Sequence, residues 1–155
     1  METFPHHYTV SATAGLEGDV ALESGRLPPL VSERPAEFDG PGDRWSPETL
    51  VVGAVADCFV LTFRAIAKFS KLPWTTLTCV ASGTVDRVER LTQFTAVFVR
   101  VSLSVPDGTN EEQAKRLLER AEQNCLITNS LRSPCQFEAE VLVARPAKPA
   151  DARAA

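Results

Sequence analysis

The sequence lacks several features that mark common classes of protein. It has no run of basic residues, and 16 Lys and Arg against 20 Asp and Glu give a formal net charge of −4. This balance, with a pI near 5.2, argues against nucleic acid or an anionic membrane as the main partner. The first ten residues, METFPHHYTV, contain neither the basic nor the apolar stretch of a secretory signal. We therefore expect a cytoplasmic protein.

The cysteines also lack the spacing of two familiar motifs. Four cysteines are present, but no two form a C-x-x-C pair, which argues against a thioredoxin-type motif and a zinc ribbon. The adjacent His6 and His7 have no third ligand nearby, so we expect no metal site there. In a reducing compartment, any disulfide should be transient and either catalytic or sensing rather than structural. The question is then which thiols are reactive.

No uninterrupted apolar run is as long as the roughly 20 residues that cross a bilayer. The longest, Leu50–Ala56, is followed directly by Asp57. The stretch Ser46–Ser70 is predicted to be one helix, because Ser46 can cap it and Pro47 suits its first turn. Its apolar residues point in all directions, so we expect a buried core helix of a soluble, obligate homodimer rather than a membrane span.

The remaining pattern predicts a single domain over residues 1–144 and a disordered tail over residues 145–155. Alternating and β-branched segments predict two hairpins and a last strand. The first hairpin pairs Tyr8–Ala14 with Asp19–Ser24, and the second pairs Thr75–Val88 with Thr92–Val105. The last strand is predicted at Phe137–Val143. Between the first hairpin and the long helix, the proline- and glycine-rich segment Arg26–Trp45 is predicted to be a long ordered loop.

Two more helices are predicted after the second hairpin. Thr109 and Glu112 match a capping box that opens a helix over Asn110–Gln123. Asn124 then suits the cap of a short helix, which places Cys125 in that helix's first turn. The positive end of a helix lowers the pKa of a nearby thiol, which favours Cys125 as a reactive residue.

The other cysteines differ in context. Cys58 lies in the middle of the long helix beside Asp57. Cys79 falls on a predicted strand, where a small buried apolar residue is the expected role, and Cys135 follows Pro134 beyond the short helix. These contexts single out Cys58 and Cys125.

Two segments resemble the OsmC and Ohr family of thiol peroxidases: SPETL at residues 46–50 leading to ADCF at 56–59, and QNCLITNSL at 123–131. The resemblance covers about residues 8–143. It implies an α+β OsmC-like fold, with antiparallel sheets around a long buried central helix and two intertwined chains whose cysteines meet at the dimer interface. It also implies that Cys58 is the peroxidatic thiolate, that Cys125 resolves its sulfenic acid, and that Glu48 is the family's carboxylate.

The activity implied by the resemblance is reduction of organic, and also inorganic, hydroperoxides through a Cys58–Cys125 disulfide. An external dithiol, either a lipoyl group or a small thiol, would reopen that disulfide. No metal, flavin or haem is implied. The alternative is a non-catalytic dimeric module of the same fold that binds a small apolar ligand at the dimer interface.

The chain departs from the family in one respect, the arginine. Leu16 and Glu37 occupy the two positions at which relatives carry it. A thiol among apolar side chains needs a nearby cation to hold the reactive thiolate. Glu48 precedes Cys58 by ten residues, or about 15 Å along a helix, so to serve the thiol it must come from another chain or act through an arginine. The candidate substitutes, with the loop as the expected donor, are Arg26, Arg34, Arg44 and Arg64.

Overall fold

The computed structural model describes residues 3–144. The chain divides into two compact units, one up to Val51 and one from Val52 onward. A single domain over residues 1–144 therefore stays a prediction. The predicted disordered tail, residues 145–155, lies outside the described residues.

The first unit contains a three-stranded antiparallel sheet in the order β1-β2-β3. Its strands are β1 (Ser11–Ala14), β2 (Val20–Glu23) and β3 (Leu30–Ser32), followed by a 3₁₀ turn at Ala36–Phe38. The predicted first hairpin is confirmed, although its strands are shorter than expected. The expectation of a loop without a strand over residues 26–45 is wrong at β3. This strand lies at the sheet's edge, where neighbouring prolines are tolerated.

The first unit has almost no apolar interior. Among the described residues up to Val51, only Ser32 and Ser46 are buried. Large apolar side chains such as Val31, Phe38 and Trp45 are exposed instead. The sheet is therefore held mainly by its backbone hydrogen bonds.

The long helix, α1, spans Pro47–Phe69, which confirms the predicted helix. Its start is fixed by two reciprocal hydrogen bonds. The Thr49 amide donates to the Ser46 hydroxyl at 3.2 Å, and the Ser46 amide donates to the Thr49 hydroxyl at 2.7 Å. Ser46 thereby satisfies a backbone N–H group that the first helical turn would leave unpaired.

In the second unit, α1 buries one narrow stripe: Val55, Phe59, Phe63 and Ala67, spaced four residues apart. One chain alone leaves other sides of α1 open, since Leu61 is 51% exposed and Phe69 is 86% exposed. The expected cover by a second chain stays a prediction. No uninterrupted apolar run is long enough for a membrane span, which is why the sequence did not predict one. By length and composition α1 could nevertheless cross a membrane, because its most apolar 18-residue segment has a mean hydropathy of 2.0. This is weak evidence, since core helices of soluble proteins pass the same test.

The second sheet is formed by β4 (Thr76–Val88), β5 (Leu91–Val105) and β6 (Cys135–Val143), in that order. The predicted second hairpin is confirmed. Its turn is tighter than expected, because Glu89 and Arg90 alone connect the strands, with φ of 49° and 75°. Two left-handed central residues are typical of a type I′ turn, whose twist suits a hairpin. The strand β6 runs parallel to β5.

The helices α2 (Glu111–Gln123) and α3 (Leu126–Ser130) connect β5 to β6. The cap of α2 is Asn110, whose side chain accepts from the Gln113 amide at 2.9 Å, so the predicted capping box at Thr109 is wrong by one residue. The core combines one face of β5 with the α1 stripe and the apolar side of α2. Its members from β5 and α2 are Val97, Val99, Val101, Leu103, Val105, Ala114, Leu117, Leu118 and Ala121.

Candidate active site

The first component of the site is Cys58, in the middle of α1. It directly precedes Phe59, which is 2% exposed and stacks on Phe137 of β6 with ring centroids 5.5 Å apart. Cys58 itself is only half-buried. The packed aromatic next to it therefore fixes the helix while the thiol stays partly accessible.

The second component is Cys125, between α2 and α3. Asn124 closes α2, with its amide donating to the Arg120 carbonyl at 3.2 Å, and Cys125 is the N-cap of α3. The expectation that Asn124 caps the short helix and Cys125 lies inside its first turn is thus wrong by one residue. Cys125 is 1% exposed, so the connection between two helices holds its thiol inside the protein.

The structure brings these two thiols together. Burial raises the pKa of Cys125 above its ordinary value, polar groups of Thr128 lower it, and the neighbouring Cys58 thiol raises it again. The expected lowering by the helix terminus is therefore wrong in its net direction, because α3 is only five residues long and burial outweighs it. Cys125 is therefore a weaker acid than an ordinary cysteine, and it lies beside Cys58.

Cys79 and Cys135 lie in the two outer strands of the second sheet. Cys79 on β4 is opposite Val101 of β5, and Cys135 begins β6 opposite Val97. Both pack against the core. The strand position expected for Cys79 is confirmed, and Cys135 lies beyond the short helix as expected, at the first position of β6. Burial, aided by Cys125 and Cys135, raises the pKa of Cys79 to about 11, and burial also raises that of Cys135. A raised pKa leaves less thiolate at neutral pH, which makes both thiols weaker nucleophiles.

Glu48 belongs to the other unit, in the first turn of α1. Its Oε2 atom is buried and has no hydrogen-bond partner among the described residues. The carboxylate lines a pocket of about 560 Å³ whose wall is mostly apolar, with Leu22, Phe38 and Leu50 among its residues and Arg34 as its cation. Sequence patterns did not predict this pocket, because its wall combines residues of β1, β2, β3, the 3₁₀ turn and α1 that are distant in sequence. Among the described residues, no group of His, Cys, Asp and Glu is arranged to hold a metal ion.

These observations define an α+β protein built on a long apolar helix that carries one thiol of a neighbouring pair. The family model described as OsmC-like protein matches residues 40–140. The chain belongs to the OsmC-like family, and this confirms the resemblance carried by its two cysteine segments.

The relatives agree with this assignment. The uncharacterized protein YmaD of Bacillus subtilis is 27% identical over 143 residues, which cover 89% of this chain and 95% of that protein. An OsmC-like protein of unknown function from Vibrio cholerae has a TM-score of 0.77 at 18% identity, covering 89% of this chain and 100% of that one. An organic hydroperoxide resistance protein OsmC from Legionella pneumophila has a TM-score of 0.70 at 22% identity, covering 91% and 100%. These two structures confirm the OsmC-like fold.

Proposed function

We propose that this protein is a cysteine-based thiol peroxidase that reduces organic hydroperoxides, and inorganic ones as well. The observation that carries the proposal is the pairing of a half-buried thiol on α1, Cys58, with a buried thiol at the start of α3, Cys125. Family membership supports it, since some OsmC-like relatives are named for organic hydroperoxide resistance.

The cycle has two steps on the protein. The Cys58 thiolate attacks the peroxide O–O bond, becoming a sulfenic acid while the alcohol leaves as an alkoxide that takes up a proton. The Cys125 sulfur then attacks the sulfenic sulfur, forming the Cys58–Cys125 disulfide and releasing water. The half-buried Cys58 is thus the thiol that can meet the substrate, and the buried Cys125 is placed to react with the intermediate.

An external dithiol completes the cycle. One of its thiolates attacks the protein disulfide, and its second thiol releases both cysteines in reduced form while the dithiol itself is oxidised. A lipoyl group or a small thiol supplies these electrons in the proposed reaction, which takes place in the cytoplasm. No metal or organic cofactor enters any step.

We further propose that the functional form is a homodimer in which Glu48 serves the thiol site of the other chain. The support is the uncovered apolar side of α1, since only 22% of its apolar window is buried in one chain. Burying such a surface against a second copy is a large favourable term. A native molecular mass of one chain in dilute solution, with the circular dichroism spectrum unchanged, would contradict the dimer.

Peroxide consumption with dithiothreitol or dihydrolipoamide tests the peroxidase directly. Wild type is expected to turn over and Cys58→Ser to be inactive, while Cys79→Ser and Cys135→Ser retain nearly full activity. Cys125→Ser should react once and accumulate added oxygen mass on Cys58. Unchanged activity in Cys58→Ser, with no Cys58–Cys125 disulfide in peptide maps of peroxide-treated wild type, would refute the proposal.

The apolar pocket in the first unit favours a second candidate, a dimeric module that binds a small apolar ligand without catalysis. Its volume of about 560 Å³ lies within the range of small-molecule sites. This candidate predicts that an apolar dye binds equally well to wild type and to Cys58→Ser, with no peroxide consumed by either. Peroxide turnover that depends on Cys58 decides against it as the main function.

A further inference from the structure

The second unit contains two thiols that the proposed cycle does not use, Cys79 and Cys135. Cys79 is opposite Val101 and Cys135 is opposite Val97, and both of these β5 positions are buried. Residues that face each other across neighbouring strands lie on the same side of a sheet. Both unused thiols therefore lie on the side of the second sheet that packs against the core.

Cys125 lies close to both of these thiols. Burial raises the pKa of Cys79 and of Cys135, and a negative charge on Cys125 raises both further. The other neighbour of Cys125 is Cys58. The four cysteines of the chain thus form one cluster with Cys125 at its centre. No group of His, Cys, Asp and Glu in the described part of the chain has the arrangement of a metal site, so thiol exchange is the chemistry that this cluster supports.

Two contacts outside the thiols hold the cluster against the start of β6. The aromatic side chain that follows Cys58 on α1 stacks on Phe137, which lies two residues beyond Cys135 on the same side of β6. The helix α2 packs against β6. Cys125 directly follows α2, and its amide donates to the Glu122 carbonyl at 3.1 Å. The same glutamate is a neighbour of Cys135.

Cys135 can approach Cys125 more easily than Cys79 can. Cys79 lies inside β4, which pairs with β5 along its whole length. Cys135 is the first residue of β6, and the end of an element opens at a lower free-energy cost than its middle. Burial also raises the pKa of Cys79 to about 11, which leaves this thiol very little thiolate at neutral pH.

The connection between Cys125 and Cys135 is short and held by local contacts. The two cysteines are ten positions apart, with the five residues of α3 between them. The Thr128 hydroxyl donates to the Cys125 carbonyl at 3.1 Å, and the Asn129 side chain donates to the Gln123 carbonyl at 3.0 Å. Closing so short a loop costs little chain entropy. A Cys125–Cys135 disulfide would therefore only tighten the turn around α3.

We propose that Cys135 accepts the disulfide from Cys58 on a side branch of the cycle. The Cys135 sulfur attacks the Cys125 sulfur of the Cys58–Cys125 disulfide. The bond between Cys58 and Cys125 breaks, and the proton of Cys135 passes to the departing Cys58 sulfur. One disulfide and one thiol exchange places, so no further oxidant or reductant is needed. The branch rests on the proposed peroxidase function, which supplies the first disulfide.

The branch matters when the external dithiol is scarce. Exchange requires a thiolate, and burial raises the pKa of Cys135, so its attack is slow. Abundant dithiol opens the Cys58–Cys125 disulfide before Cys135 does, which is why Cys135→Ser keeps its turnover in that assay. Once the dithiol is used up, the exchange returns Cys58 to the reduced form. One chain can then react with a second molecule of peroxide.

Peroxide titration of the reduced protein without any reductant tests the branch. Wild type is expected to consume two equivalents per chain. After the first equivalent, peptide maps should show a Cys125–Cys135 disulfide and alkylation should label Cys58. Cys135→Ser and Cys135→Ala should consume one equivalent, a twofold loss, and keep the Cys58–Cys125 disulfide. Cys79→Ser removes the other unused thiol and is the matched control, expected to behave as wild type.

The outcomes separate the branch from the peroxidase. One equivalent consumed by wild type, with Cys58–Cys125 as the lasting disulfide, would overturn the branch and leave the peroxidase standing. A twofold loss in Cys79→Ser as well would overturn the assignment to Cys135. If wild type consumes no peroxide, the peroxidase is refuted and diamide, which oxidises thiol pairs directly, supplies the first disulfide. Conversion of Cys58–Cys125 into Cys125–Cys135 would then support the exchange, and a persisting Cys58–Cys125 disulfide would overturn it.

Discussion

The unit up to Val51 and the unit from Val52 differ in what lies inside them. The second unit has a core in which Leu103, Leu118 and Phe63 have no exposed surface. The described residues of the first unit bury no apolar side chain at all. Instead it encloses a pocket of about 560 Å³ with a buried carboxylate oxygen.

This difference suggests that the second unit supplies most of the folding stability and that the first unit is suited to binding. Burial of apolar area is the main favourable term in folding, and the second unit holds most of it. The first unit has exposed apolar side chains and a concave site, both of which are suited to a ligand or a second chain. Substitutions in the two units should therefore have unequal effects on the free energy of unfolding of the isolated protein.

The largest expected effect comes from the core. Leu103→Ala should lower the free energy of unfolding by about 2–5 kcal/mol, because it removes a fully buried side chain and leaves a cavity. Val31→Ala, at a position 42% exposed in the first unit, should cost well under about 1 kcal/mol. Urea denaturation measures both, and equal losses would remove the distinction between the units.

Gly40 is the exception within the first unit, a tightly packed position. Gly40→Ala should destabilise by about 1–3 kcal/mol, because its Cβ would meet the Arg34 carbonyl at 1.8 Å. Gly15→Ala is the control, since its nearest atom would be 3.6 Å away. Amide hydrogen exchange at Phe38 and Gly40 should quicken only in Gly40→Ala, and equal exchange in both variants would contradict this account.

The pH dependence of stability tests whether the Cys79 thiol is desolvated in the folded protein. The folded protein keeps the Cys79 proton up to a pKa of about 11, whereas an unfolded cysteine loses it near about 8.5. Between these values the unfolded chain binds fewer protons, so stability is full below about pH 8.5 and falls as pH rises. The fall is less than about 1.4 kcal/mol per unit, because the thiol is only half-buried. Cys79→Ser should show a shallower fall in urea titrations, and an equal slope would show that Cys79 is not desolvated.

The smallest expected difference is between the N-cap of α1, Ser46, and the N-cap of α2, Asn110. Ser46→Ala and Asn110→Ala should each cost about 0.5–2 kcal/mol, because each removes a hydrogen bond to an N-terminal amide of its helix. Ser46 should be at the upper end, since it is 1% exposed and exchanges two hydrogen bonds with Thr49. Asn110→Asp is the conservative control and should retain most of the stability.

Local chemistry explains which parts of the fold could be predicted. The start of α1 follows from Ser46 and Pro47, and the inward face of β5 follows from its alternation. The strand β3 could not be predicted, because three residues beside prolines pair only through contacts distant in sequence. The pattern also could not tell which sides of α1 its own chain covers, since an apolar helix has the same pattern whether its partner is its own chain or another.

The candidate site was also predictable only where local sequence decides the outcome. The segments around Cys58 and Cys125 single out these two thiols, and the structure places them side by side. The net pKa direction of Cys125 could not, because it depends on burial by elements far along the chain. The presence of Arg34 on the pocket wall could not be predicted either, since its position depends on the loop that Gly40 closes.

The order of the cysteines along the chain has a consequence for synthesis. Cys58 precedes Cys125 by 67 residues, and at roughly 5–20 residues per second a ribosome takes about 3–13 seconds to make that stretch. The sheet is complete only later, because β6, its parallel strand, ends at Val143. Throughout that interval the nascent chain presents the thiol of Cys58 without its partner and the apolar stripe of α1 without its sheet. Both are exposed to oxidants and to chaperones before the protein can protect them itself.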